Sequence, residues 1–149
     1  MISDSSDEVW IVRHGETEWS ATMKHTSYTD VELTAKGVFA AESLHERLPG
    51  DFDLVLCSPM LRARRTAALA GFPDPQIDED LLEWNYGEYE GITTAEIRKT
   101  VPGWTTWSHL SPGGETPEQV TERCDRVIER IREHGGKVLV FGHGHSLRA

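Results

Sequence analysis

The sequence predicts an α/β fold, a three-layer sandwich around a mostly parallel sheet, on three observations. Short apolar runs alternate with amphipathic stretches along the chain, the pattern of strands joined by crossover helices. The apolar runs end in polar, chemically capable residues: Arg13-His14-Gly15, Ser58-Pro59 and Gly142-His143. A length of 149 residues suits one domain, 1–149, and such a domain removes about 68–70% of its unfolded surface from water.

Val9 to Val12 reads as a buried strand that delivers His14 at its carboxyl end. Thr34 caps a helix running to about Leu48, with Ala41, Leu44 and Leu48 on one face and Pro49-Gly50 as the stop. Asp53 to Cys57 is a second strand. Ser58-Pro59 offers a cap and a first-turn proline for a helix through about Ala70, ended by Gly71. Gln76 to Leu82 holds a short extended piece. Glu83 to Ser111 is aromatic, contains glycine and is weakly periodic, so it reads as an excursion over the face where ligands bind. Thr93 with Glu96 forms one capping box and Thr116 with Gln119 a better one. The latter opens a helix with Val120, Cys124, Val127, Ile128 and Ile131 on one stripe and His134-Gly135-Gly136 as its end. Lys137 to Phe141 is a third strand, followed at once by Gly142-His143-Gly144-His145. Ligands of parallel sheets bind beyond the strand carboxyl ends, where His14, Ser58 to Arg62 and His143 all fall.

The net charge of −10 repels polyanions, which argues against nucleic acid and anionic membrane surfaces as partners. Arg13, Arg62, Arg64 and Arg65 nevertheless flank strand ends and concentrate positive charge locally. The two cysteines, Cys57 and Cys124, are too few for a disulfide framework. Met1 to Glu8 is acidic, without the basic start or apolar stretch of a secretory signal, and no apolar run reaches membrane-spanning length. A reducing, cytoplasmic location is the expectation.

The segment Arg13-His14-Gly15-Glu16-Thr17-Glu18-Trp19 resembles the signature of the histidine phosphatase superfamily, also called phosphoglycerate mutase-like. Further pieces follow in that family's order. Ser58-Pro59-Met60-Leu61-Arg62-Ala63 with Thr66 resembles its second arginine segment, and Leu82-Glu83 with Tyr86-Gly87 and Glu90-Gly91 the segment bearing its acid. Gly113-Gly114-Glu115-Thr116 resembles its glycine-glutamate element and His143-Gly144 its second histidine. Within the family, Trp84 to Gly91 and the Gly-His-Gly-His tail are similar to acid phosphatases and sedoheptulose bisphosphatases.

The resemblance implies a phosphomonoesterase for small phosphorylated metabolites, without cofactor or metal, in which His14 carries the phosphoryl group. Arginine forks suit the charge on the equatorial phosphate oxygens, a role for Arg13 and Arg62. A neutral imidazole at His14 can attack phosphorus and divide one slow hydrolysis into two easier steps, provided its other ring nitrogen finds an acceptor. His143 would hydrogen-bond the phosphoryl oxygens, and Glu83 would give the leaving alkoxide its proton. Thr26, Ser27, Tyr86, Glu115, Gly144 and His145 are the remaining expected substrate contacts, although serine stands at 20 and 27 where the family often has asparagine and glycine.

Two other readings stay open. A cofactor-dependent phosphoglycerate mutase shares the phosphohistidine but usually carries a longer insertion than Glu83 to Ser111. A non-catalytic phosphate-binding fragment is suggested by family members that continue past the second histidine with another helix and strand. By that comparison the C-terminal elements are missing and an apolar sheet face is exposed, which would favour association; a homodimer is one option, and the oligomeric state is open. His143 and His145 could also be a zinc fragment, but no further ligand has metal-site spacing. Arg64 and Arg65 read as a solvated helix face, Trp19 and Trp107 as packing, His134 as a helix-end cation, and Glu16 as the partner of an arginine.

Overall fold

The computed structural model describes residues 7–149; Met1 to Ser6, most of the acidic start read above for a leader, lie outside them. The elements are β1 (Glu8–Arg13), α1 (Glu18–Ala21), α2 (Ala35–Arg47), β2 (Leu54–Cys57), α3 (Leu61–Leu69), β3 (Gln76–Ile77), α4 (Thr94–Thr100), α5 (Pro117–His134) and β4 (Lys137–Gly142). The four strands form one parallel sheet in the order β1-β4-β2-β3. The last strand in sequence therefore lies second in space, so β4 brings residue 143 beside residue 14.

Alternation along β4 sorts the core into two layers. Leu139 and Phe141 pack with Cys57, Ala63, Ala67 and Ala70 on the α3 side, where small alanines let the helix approach the sheet closely. Val138 and Val140 pack with Leu56, Leu81 and Val127 on the α5 side. The register pairs Val9 with Val138 and Ile11 with Val140, which turns both β1 residues to the α5 side. There they stand 54% and 58% exposed, along a groove walled by Leu81, Cys124, Val127 and Leu147. No described helix is long and apolar enough to cross a membrane.

Several boundaries depart from the sequence reading. Ser58 does not cap α3: Met60 takes that position without a side-chain bond, and the Leu61 N–H is met by the Asp30 carboxylate at 2.7 Å. The Ser58 hydroxyl faces His143 instead. Thr93 caps α4 through one half of the expected box, whereas Thr116 and Gln119 complete both halves. The excursion after Glu83 contains a 3₁₀ turn at Gly87–Tyr89 as well as α4.

The loop after β1 is set by a contact between two glycines. A Cβ on Gly15 would come 2.8 Å from the Gly37 carbonyl oxygen, and one on Gly37 only 2.2 Å from that of Glu16. Helix α2 thus lies directly on the His14 loop, and both neighbours are backbone that cannot swing aside. Gly37→Ala is expected to cost about 1–3 kcal/mol, typical of overpacking, and to lower activity by shifting His14. Denaturant titration beside a rate measurement checks this; unchanged stability would mean that the loop yields freely.

Candidate active site

The site forms where β1, β4 and β2 end side by side. The His14 N–H donates to Gly142 O at 3.1 Å and the Ser58 N–H to Phe141 O at 3.0 Å, so backbone bonds fix the residue that follows each strand. The His14 and His143 rings meet edge to face with centroids 5.3 Å apart. His14 Nδ1 lies 2.7 Å from Gly15 O, the acceptor that the sequence could not name. Since a carbonyl can only accept, Nδ1 carries the proton and Nε2 keeps its lone pair. Burial pushes His14 down to about 4, partly opposed by the Gly15 bond and assisted by Arg62 and Arg13, so the ring is neutral near pH 7.

His143 is fully buried. Its Nε2 is 2.7 Å from the Ser58 hydroxyl, and its Nδ1 has no partner among the described residues. If Ser58 donates to Nε2, Nδ1 becomes an N–H donor that awaits an acceptor. Burial, then Arg62 and His14, holds this imidazole well below its ordinary pKa.

Arg62 is also fully buried, but it is not a free fork. Its terminal nitrogens donate to the carbonyls of Thr29 (3.0 Å), Thr26 (3.2 Å) and Ser27 (2.9 Å), while Nε has no partner among the described residues. One cation therefore holds the 26–29 loop and keeps an N–H in reserve. Arg13 lies over Gly144, where a Cβ would come 3.3 Å from its Nε.

The Glu83 carboxyl is buried against backbone donors. Oε1 accepts from Trp84 N and Ser146 N, both at 2.8 Å, and Oε2 from His145 N at 3.1 Å. Burial raises its pKa despite those bonds and the charge of Arg62. A cavity of about 460 Å³ opens above these groups, lined by Arg13, His14, Glu83, Tyr86, Gly144 and His145, with Thr26 at its side. Arg62 and His143 are not part of that lining and stay buried. The Tyr86 hydroxyl bonds His145 Nδ1.

Two expected substrate contacts are engaged elsewhere. The Glu115 carboxylate does not reach the cavity; it takes the Arg123 Nε and terminal nitrogen, each at 2.8 Å, together with Asn85 N. The hydroxyl and N–H of Ser27 are turned to Glu90. Glu16 bonds the Thr34 hydroxyl rather than an arginine. Sequence reasoning gave no supporting role to Ser58, which faces His143, to Glu90, which holds Ser27, or to Arg123. Arg123 donates its remaining hydrogens to the carbonyls of Asp80, Leu82 and Glu83, fixing the strap that carries Glu83. Its signal was available, since spacings of three from Val120 and four to Val127 put an arginine on a buried stripe.

A model of the histidine phosphatase superfamily (branch 1) matches residues 9–149. The chain is 43% identical over 145 residues to an acid phosphatase of Mycobacterium tuberculosis, covering 93% of this chain and 71% of that protein. It is 37% identical over 172 residues to sedoheptulose 1,7-bisphosphatase of Saccharomyces cerevisiae, with coverages of 93% and 64%. Among solved structures it resembles an open reading frame product of Mycobacterium tuberculosis with a TM-score of 0.88 and 41% identity, over 94% of this chain and 75% of that one. The alpha-ribazole phosphatase of Shigella flexneri matches with a TM-score of 0.81 and 30% identity, over 93% and 75%.

Proposed function

The chain belongs to the histidine phosphatase superfamily, branch 1, and on that premise we propose that it hydrolyses phosphate monoesters of small metabolites through a phosphohistidine at Nε2 of His14. The observation that carries this reading is the pairing of a bare Nε2 on His14 with two buried nitrogens that have no partner among the described residues, Nε–H of Arg62 and Nδ1 of His143, the latter a donor when Ser58 donates to Nε2. Buried N–H groups without acceptors are costly, and a phosphoryl oxygen would satisfy them.

Nε2 of His14 attacks phosphorus as the ester oxygen departs in line. Arg13, the Arg62 Nε–H and the His143 N–H meet charge on the equatorial oxygens. Protonated Glu83 gives its proton to the leaving alkoxide and becomes a carboxylate. Water then enters, Glu83 takes its proton, and the resulting hydroxide attacks the phosphohistidine. Phosphate leaves, His14 returns neutral and Glu83 is again protonated. Burial of Glu83 suits the first role because it favours the acid form.

Incubation with a radiolabelled phosphate ester followed by rapid quench tests the proposal: label bound to protein should be acid-labile and base-stable. No trapped label together with no turnover would leave a phosphate-binding protein as the better reading. A mutase remains the second reading because the chain is 34% identical to a 2,3-bisphosphoglycerate-dependent phosphoglycerate mutase of Cytophaga hutchinsonii. Isomerisation of 3-phosphoglycerate outrunning phosphate release, with a bisphosphoglycerate primer, would favour it. A cytoplasmic location belongs to the same proposal, supported by Cys57 and Cys124 both being free thiols.

The His14 ring provides a pH test. With its pKa lowered to about 4, the nucleophile stays neutral at pH 5, where an ordinary histidine is mostly protonated. The His14 resonances should titrate near pH 4 in the free protein, and a midpoint near 6.5 would contradict the buried geometry.

A further inference from the structure

The His143 ring has two nitrogens that can carry its proton, and a single hydroxyl bears on the choice. Ser58 Oγ lies 2.7 Å from Nε2 and also accepts the Met60 N–H at 3.3 Å. Ser58 and His143 are both shut off from solvent, and neither lines the main cavity. The Ser58 N–H donates to Phe141 O at 3.0 Å, two residues before His143, so the pairing of β2 with β4 sets the contact between the two side chains.

Proton counting selects the tautomer. A serine hydroxyl has one hydrogen to give and two lone pairs. Met60 takes one lone pair, and among the described residues the only acceptor within reach of the hydrogen is Nε2 of His143. Were the ring proton on Nε2, it would point at the Ser58 oxygen and strand the hydroxyl hydrogen in a buried place without an acceptor. A doubly protonated ring meets the same obstacle, and burial together with the guanidinium of Arg62 opposes it. Nδ1 and the Arg62 Nε are both unmet among the described residues, so neither serves the other.

We propose that Ser58 is a positioning residue of the site: its hydroxyl donates to Nε2 and thereby keeps the one proton of neutral His143 on Nδ1, the nitrogen left open to a phosphoryl oxygen. The ring then offers an anion a donor and not a lone pair, which would repel it. Ser58 touches no substrate and acts only through the imidazole. The place of the proton rests on the Ser58 contact alone, whereas its use rests on the proposed phosphatase function.

Isotope-labelled histidine, read by long-range proton–nitrogen correlation at neutral pH, shows which ring nitrogen carries hydrogen; the signals missing from His143→Gln are those of His143. The unaltered protein should show Nδ1–H alone, and added inorganic phosphate should move that proton downfield. Ser58→Ala should lose the single tautomer, with Nε2–H appearing. Its kcat on p-nitrophenyl phosphate should fall about 10–100-fold while KM changes less than about threefold, because the missing donor counts most in the transition state. Ser58→Thr, which keeps the hydroxyl, should restore Nδ1–H and most of kcat. A proton on Nε2 in the unaltered protein, or an Nδ1–H indifferent to phosphate, would overturn the proposal. So would a Ser58→Ala protein that keeps Nδ1–H undiminished or turns over at the parent rate. The ring state and the phosphate response are read in the unaltered protein and decide even where a variant does not fold. Turnover with the proton on Nε2 removes the role of Ser58 alone, whereas a phosphate-responsive Nδ1–H without any turnover removes the phosphatase reading alone.

Discussion

Replacing His14 by alanine is expected to lower kcat on p-nitrophenyl phosphate by about 10⁴-fold or more, because the covalent route then has no acceptor for the phosphoryl group. Residual activity would come from Arg13, the Arg62 Nε–H and His143 polarising a phosphate that water attacks directly. The variant should remain folded. His14 contributes one side-chain bond, to the neighbouring Gly15 carbonyl, and the strand end is fixed by its own N–H to Gly142 O, which alanine keeps. Comparison with His143→Ala separates the roles: that variant should still form a trappable phosphoprotein, slowly, whereas His14→Ala forms none. Equal turnover by His14→Ala and the parent protein would remove the nucleophile assignment.

The sheet was legible because its pattern is local. Apolar runs at β1, β2 and β4 carry their own signal, and the alternation of Leu139 and Phe141 against Val138 and Val140 follows from strand geometry. Strand order was not legible. Nothing near residues 137–142 states that they lie between β1 and β2. Errors in the site share that origin. Ser58 carries a helix-cap pattern, but its hydroxyl has a stronger partner 85 positions away in His143. Glu115 sits in a glycine-rich turn that suits a ligand contact, yet Arg123 neutralises it eight residues later, on a helix whose buried stripe could have been read. Glu90 gave no local sign of holding a loop 63 positions earlier. Local pattern thus marks the chemically capable residues at strand ends, whereas Ser58, Glu90 and Glu115 take partners that only the fold supplies.

Arg62 joins these two kinds of residue. Its Nε–H has no partner among the described residues, while its far end collects three carbonyls of the 26–29 loop. Glu90 completes the latch by taking the N–H and hydroxyl of Ser27. The cation that would meet the reacting group therefore also fixes the wall bearing Thr26. Lysine at position 62 could supply charge to one of these partners, not both, since it lacks the planar fork.

Glu83→Gln should divide substrates by leaving group. An alkyl phosphate expels a strongly basic alkoxide and needs a proton in the transition state, so its kcat/KM should fall by about 10²–10⁴-fold. p-Nitrophenolate leaves unassisted, and its loss should stay within about tenfold, reflecting slower water activation in the second step. Geometry selects the oxygen involved. Oε1 already accepts two backbone N–H groups, whereas Oε2 accepts one, at 3.1 Å, and has the freer lone pair for a proton. A glutamine carbonyl can replace Oε1, but its NH₂ would face the His145 N–H donor, and an unmet buried donor costs about 1–3 kcal/mol. Thermal unfolding measures that penalty separately. Because it falls on both substrates alike, the ratio of alkyl to aryl losses isolates proton donation. Comparable losses for the two esters would place the acid elsewhere in the cavity.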